Sequence, residues 1–140
     1  IKKSAIAPIA PPRIAVHRVT WLKRTSSAST LMPGAATVGM VETLEQAGPF
    51  GQGAPAPRFA FPSMAILDAR QIGTGHLKLR FGDPAGASLE AIAFGAYDGP
   101  LGTALARRTP GLWHLAGKVE INSWGGRNRV QLRLDDAAPA

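Results

Sequence analysis

Three stretches of the chain set basic residues at alternate positions. His76, Lys78 and Arg80 alternate with Leu77, Leu79 and Phe81, and Arg129 and Arg133 share a face that alternates with Val130, Leu132 and Leu134. Lys118 stands in a third such stretch, on the polar face of Leu112–Asn122, and Arg127 follows the turn after it. A strand points successive side chains to opposite faces, so this spacing gathers cations on one side of a sheet. The chemistry open to them is charge pairing with a polyanion, above all the phosphates of a nucleic acid. A solvated outer face, which any small barrel needs, produces the same pattern. Base stacking requires exposed aromatics and is worth about 1–3 kcal/mol per base. Aromatics make up 6% of the chain, and Trp124, Tyr97 and Phe94 are those open to exposure near the sheet. Trp124, in Asn122-Ser-Trp-Gly-Gly126, has two readings: stacking on a base, or sealing the barrel end, which the area a Trp buries favours. The candidate nucleic-acid contacts are therefore His76, Lys78, Arg80, Lys118, Trp124, Arg127, Arg129 and Arg133.

Other chemistries find no support. The chain has no Cys, which excludes a disulfide framework, a Cys-ligated zinc site and a thiol nucleophile. His17, His76 and His114 stand apart, outside any metal-ligand spacing, and read as surface or strand histidines. Asp135-Asp136 reads as a solubilising pair at the chain end rather than a metal site. Gly51-Gln-Gly53 has no strand before it and no helix after it, so a phosphate-cradling loop is not supported. The sequence shows no nucleophile elbow, Walker loop or helical carboxylate pair, so no catalytic or metal residue is assigned.

The 140 residues carry a net charge of +7, which favours polyanionic partners. Residues 1–50 hold six bases against two acids, and residues 51–140 ten against seven, so over half of the excess precedes the sheet. No apolar run reaches the roughly 18–20 residues of a bilayer span, and no membrane partner is expected. The chain opens on Ile1 rather than Met, which is expected of a fragment, a processed form or a trimmed form.

The elements that must position these residues follow from period and punctuation. Residues 1–36 are broken by Pro8, Pro11, Pro12 and Pro33 and read as an irregular basic lead-in or linker; Ile14 to Leu22 can form a short strand or a turn or two of helix. Residues 37–58 read as a short helix, Thr37 to Gln46, capped by Thr37 and ended by Gly48-Pro49, then a Gly/Pro-rich connector. Residues 59–136 read as one β domain with strands Phe59–Gln71, His76–Phe81, Ser88–Phe94, Leu112–Trp124 and Arg129–Leu134. Leu101 to Arg108 forms a helix within the long gap between the third and fourth strands. Five strands with one short helix between strands 3 and 4 is the connectivity of an OB-fold, a mostly-β Greek-key barrel.

At these residues the chain also resembles a known family. The run Leu44-Glu-Gln-Ala-Gly-Pro-Phe-Gly-Gln-Gly-Ala-Pro-Ala-Pro-Arg-Phe59 is similar to the segment entering the C-terminal OB domain of RecJ-type single-strand-specific exonucleases. Gly75-His-Leu-Lys-Leu79, Ala91-Ile-Ala-Phe-Gly95, Asn122-x-Trp-x-Gly126 and Gln131-Leu132 with Asp135 follow in the family's order, and together the markers cover residues 40–136.

The resemblance implies an OB domain that holds single-stranded DNA for a bacterial, cytoplasmic nuclease of DNA repair and recombination. The family digests single strands from the 5′ end with Mn²⁺ or Mg²⁺ held by Asp and His residues of upstream catalytic domains. This chain has no Asp before Asp68 and no His-His pair, so those ligands map to no position in it and no cofactor is expected in the chain itself. Ala54 stands where the family pattern has Asn, removing a side-chain hydrogen bond from the loop. The partners implied are single-stranded DNA and the missing catalytic domains of the same protein. The other reading is an interdomain docking module, with the same barrel face against protein instead of DNA.

Overall fold

The computed structural model describes residues 13–14, 18–46, 57–106 and 111–140. In chain order the elements are β1 (Arg13–Ile14), α1 (Arg18–Arg24), β2 (Ser29–Thr30), a 3-10 turn (Pro33–Ala35), α2 (Val38–Gln46), β3 (Phe59–Ile72), β4 (His76–Gly82), β5 (Ser88–Ala93), α3 (Pro100–Ala106), β6 (Trp113–Trp124) and β7 (Arg127–Pro139). The five long strands pair in a ring. β3 is antiparallel to β4, β4 to β5, β6 to β7 and β6 to β3, while β5 and β7 run parallel. This is the OB connectivity expected from the sequence, with α3 between the third and fourth strands of the ring.

The alternation of residue types decides which side of each strand is core. Leu77, Leu79 and Phe81 of β4, Ala91 and Ala93 of β5, Leu115 of β6 and Leu132 and Leu134 of β7 all turn inward and are buried. Phe61 and Phe81 meet edge to face, with centroids 5.2 Å apart. Truncating such a ring to Ala costs about 3–5 kcal/mol. Thr37 caps α2 as expected, its Oγ1 accepting the Met40 N–H at 3.1 Å, and Val41 of that helix enters the core. Two glycines are fixed by close approach. A Cβ on Gly117 would stand 2.0 Å from the Arg133 carbonyl oxygen, and one on Gly102 would stand 2.1 Å from that of Tyr97.

The last strand departs from its expected bounds of Arg129–Leu134. It runs from Arg127 to Pro139, because β6 pairs with it along its whole length. The backbone ladder compensates for apolar alternation that the sequence interrupts at Asp135-Asp136. A register shift at Ala116/Gly117 lets both aspartates turn away from the core.

The solubilising role expected for Asp135-Asp136 is corrected. Asp136 is only 2% exposed and bonds bidentately to Arg24, with Nε–Oδ2 at 2.5 Å. Asp135 takes two bonds from Arg58, at 3.1 and 2.5 Å, and Arg58 Nη1 also donates to the Arg24 carbonyl at 2.8 Å. Above this network Trp21 of α1 packs on Ala116, Ala138 and Ala60, forming a second small core on the outside of the barrel. Its indole stacks on His114 at 5.8 Å, and His114 Nδ1 accepts the Ser63 N–H at 3.0 Å. Ser63 has φ of 56°, at a register shift in β3 beside Pro62. The β2 residues Ser29 and Thr30 add a short parallel strand to β3.

Candidate nucleic-acid interface

Strand register arranges the outward side chains in rows that cross the barrel. Arg70, Lys78, Ile92, Arg133 and Lys118 are successive partners across β3, β4, β5, β7 and β6. The next row holds Asp68, Arg80, Glu90, Gln131 and Glu120. A mostly cationic row thus lies beside a mostly acidic one, and the two rows bond to each other. Arg70 reaches Asp68 at 2.6 Å, Lys78 reaches Glu90 at 3.5 Å and Arg133 reaches Glu120 at 3.2 Å. Gln131, itself buried, extends the lattice by donating to Glu120 Oε2 at 2.9 Å.

This sorts the cations chosen from the sequence. Lys78 and Arg133 are in ion pairs, whereas Arg80, Lys118, Arg127 and Arg129 form none with the described residues and are exposed. Arg127 and Arg129 rise on the outgoing limb of the β6–β7 hairpin, whose turn at Gly125 and Gly126 has φ of 61° and 78°. Two adjoining residues in that conformation are readily supplied by glycine, which lacks the Cβ that resists it. The hairpin borders a groove of about 460 Å³ lined by Lys78, Glu90, Asn122, Gly125, Arg127 and Arg129. A second groove of about 380 Å³ shares Glu90 and Arg129 with it and adds Arg80, over a floor that includes Leu89 and Val130. The structure therefore brings Lys78, Arg80, Arg127 and Arg129 together around two adjoining grooves. Lys118 stands off them on β6. The indole of Trp124 lies outside the described residues; its backbone closes β6 opposite Arg127.

His76 belongs to a different local cluster. Its ring meets Phe94 edge to face at 5.2 Å, and its Nδ1 accepts the Gly95 N–H at 2.9 Å. Arg133 lies over the same phenyl ring, 5.1 Å from its centroid. Phe94 is 44% exposed, as its sequence position allows, and lies outside the set of candidate contacts read from the sequence. Its signal is its place two residues after Ile92, continuing the outward parity of β5 just past the strand's end. Glu90 is the other residue missed. An acid inside a basic groove is recognisable only when register places it beside Lys78 and Arg129.

The electrostatics of the face are local. The outer acids pair with Arg70, Lys78 and Arg133; of the remaining candidate cations, Arg80, Arg127 and Arg129 stand at the hairpin and its neighbouring groove and Lys118 stands apart on β6. The bonded Asp136 carboxylate raises the pKa of Arg24 above the ordinary guanidinium value, while burial acts the other way. Among the described residues no three Asp, Glu or His side chains gather as a set that could hold a metal ion. No step is assigned to a metal here. No described helix is long and apolar enough to cross a membrane.

Comparisons with known proteins bear on the same residues. The family model described as the RecJ OB domain matches residues 29–136. The single-stranded-DNA-specific exonuclease RecJ of Dickeya dadantii (strain 3937) is 32% identical over 105 residues, covering 74% of this chain and 17% of that protein. A crystal structure of RecJ in complex with Mn²⁺ from Thermus thermophilus superposes with a TM-score of 0.57 at 25% identity, covering 79% of this chain and 15% of that one. A second from the same organism, in complex with Mg²⁺, has the same TM-score at 24% identity, covering 81% and 17%. The chain thus spans about one sixth of the length of these relatives.

Proposed function

The chain belongs to the RecJ OB-domain family, and from that premise we propose that it is a single-stranded-DNA-binding module of a single-strand-specific exonuclease, without catalytic activity of its own. The observation that carries this reading is the cluster of unpaired cations, Arg80, Arg127 and Arg129, around two adjoining grooves on the β4–β5 face and under the β6–β7 hairpin. OB-folds bind oligonucleotides with this sheet face and hairpin. In this reading the phosphates follow the hairpin cations, and Lys78 joins them by leaving Glu90. Nuclease chemistry, its Mn²⁺ or Mg²⁺ and the place in cytoplasmic DNA repair and recombination belong to the catalytic domains of the larger protein.

The test is fluorescence anisotropy with labelled single- and double-stranded oligonucleotides over a salt series. Preference for the single strand and a negative log–log salt slope are expected. Absence of binding at low salt, or binding unchanged by Arg127→Ala with Arg129→Ala, overturns the reading.

A further inference from the structure

Among the described aromatic side chains the contrast in burial is sharp. Trp21, Phe59, Phe61, Phe81 and Trp113 are 8% exposed or less and Tyr97 is partly buried against the core, whereas Phe94 is 44% exposed. Packing alone does not require a phenyl ring there. The ring is nonetheless held in place. His76 meets it edge to face, and that imidazole is itself anchored by the Gly95 N–H. Arg133 lies against the ring while its Nη2 reaches Glu120 at 3.2 Å. A propped, half-exposed ring offers a π surface, the feature by which OB-folds hold an unpaired base, while the Arg133 guanidinium over it is committed to Glu120 and to positioning the ring. Holding the ring before the ligand arrives also lowers the entropy lost on binding.

We propose that Phe94 is the stacking platform for one nucleobase, with Arg133 and His76 as the residues that position its ring. The site rests on the reading of the chain as a single-strand binder. It lies in the turn one residue past the end of β5, continuing the outward parity of Glu90 on that strand. The strand would thus cross from the cationic hairpin, where it is held by charge, to Phe94, where it is held by a base. A duplex keeps its bases stacked on each other and cannot use the second site, so Phe94 supplies discrimination that the cations do not.

The experiment compares the full chain with Phe94→Ala, Phe94→Leu and Phe94→Trp, on a single-stranded oligonucleotide and on an abasic oligonucleotide with the same phosphates. Phe94→Ala and Phe94→Leu are expected to weaken the normal strand by about five- to a hundred-fold, the range one base–aromatic stack supplies. Phe94→Trp retains affinity, the abasic strand is bound equally by all four proteins, and the salt slope does not change. If Phe94→Ala binds the normal strand as tightly as the parent, or loses equally on the abasic strand, the platform is overturned while the single-strand reading stands. A parent chain that binds neither strand overturns both.

Discussion

The guanidinium of Arg24 closes on the carboxylate of Asp136 from 112 positions away, and this pair fastens α1 to the outside of the barrel. Its two ends are unequal. The Asp136 side chain is 3% exposed and that of Arg24 20%, so an unpaired Arg24 can reach water and an unpaired Asp136 cannot.

Arg24→Ala is therefore expected to destabilise the chain by about 3 kcal/mol, the cost of leaving a buried charge without its partner. Asp136→Ala costs less, and the double variant less than the two costs combined. Urea denaturation of the four proteins measures the cycle; equal costs for the two single variants would show that burial does not govern the pair.

Gly117 faces the Arg133 carbonyl so closely that any side chain must push β6 away from β7. Gly117→Ala is expected to cost about 3 kcal/mol, at the upper end of ordinary overpacking. Thermal melting followed by circular dichroism detects it, with Gly86→Ala as a contrast, since that turn glycine has open space around it and is strained only by its φ of 96°.

Ion pairing divides the cations into two functional sets. Arg129→Ala should lower the salt slope of single-strand binding by about 0.7, the loss of one phosphate contact. Arg70→Ala, already paired with Asp68 at 2.6 Å and away from the grooves, should leave the slope unchanged. Anisotropy titrations at several salt concentrations separate the two outcomes.

Glu90 is an acid shared by both grooves and bonded to Lys78. Glu90→Gln frees Lys78 and removes a repulsive charge. Affinity for single strands is expected to rise by up to about fivefold, equivalent to about 1 kcal/mol for a partly exposed charge interaction. Unchanged or weaker binding would place the phosphates away from these grooves.

The barrel was legible in the sequence because its strands carry their own periodicity. Leu77, Leu79 and Phe81 against His76, Lys78 and Arg80 state which face is core, and Thr37 announces the start of α2 by a short-range bond to Met40. The strand ends were less legible where pairing overrides pattern, as in β7 beyond Leu134.

The candidate site was legible by residue type but not by state. Sequence alone determined that His76, Lys78, Arg80, Lys118, Arg129 and Arg133 face outward, since parity along a strand is a local property. It also determined the family, through markers kept in register along the chain. Which cations remain free was decided by tertiary structure alone. Glu90 and Glu120 lie on the strands paired with those of Lys78 and Arg133, and the register of the β4–β5 and β6–β7 pairs brings them within 3.5 and 3.2 Å. The same holds for Asp136, whose adjacent carboxylate looked solvated until Arg24, from the far end of the chain, was folded onto it. Electrostatic partners are set by distance in space, which strand pairing fixes and sequence separation does not.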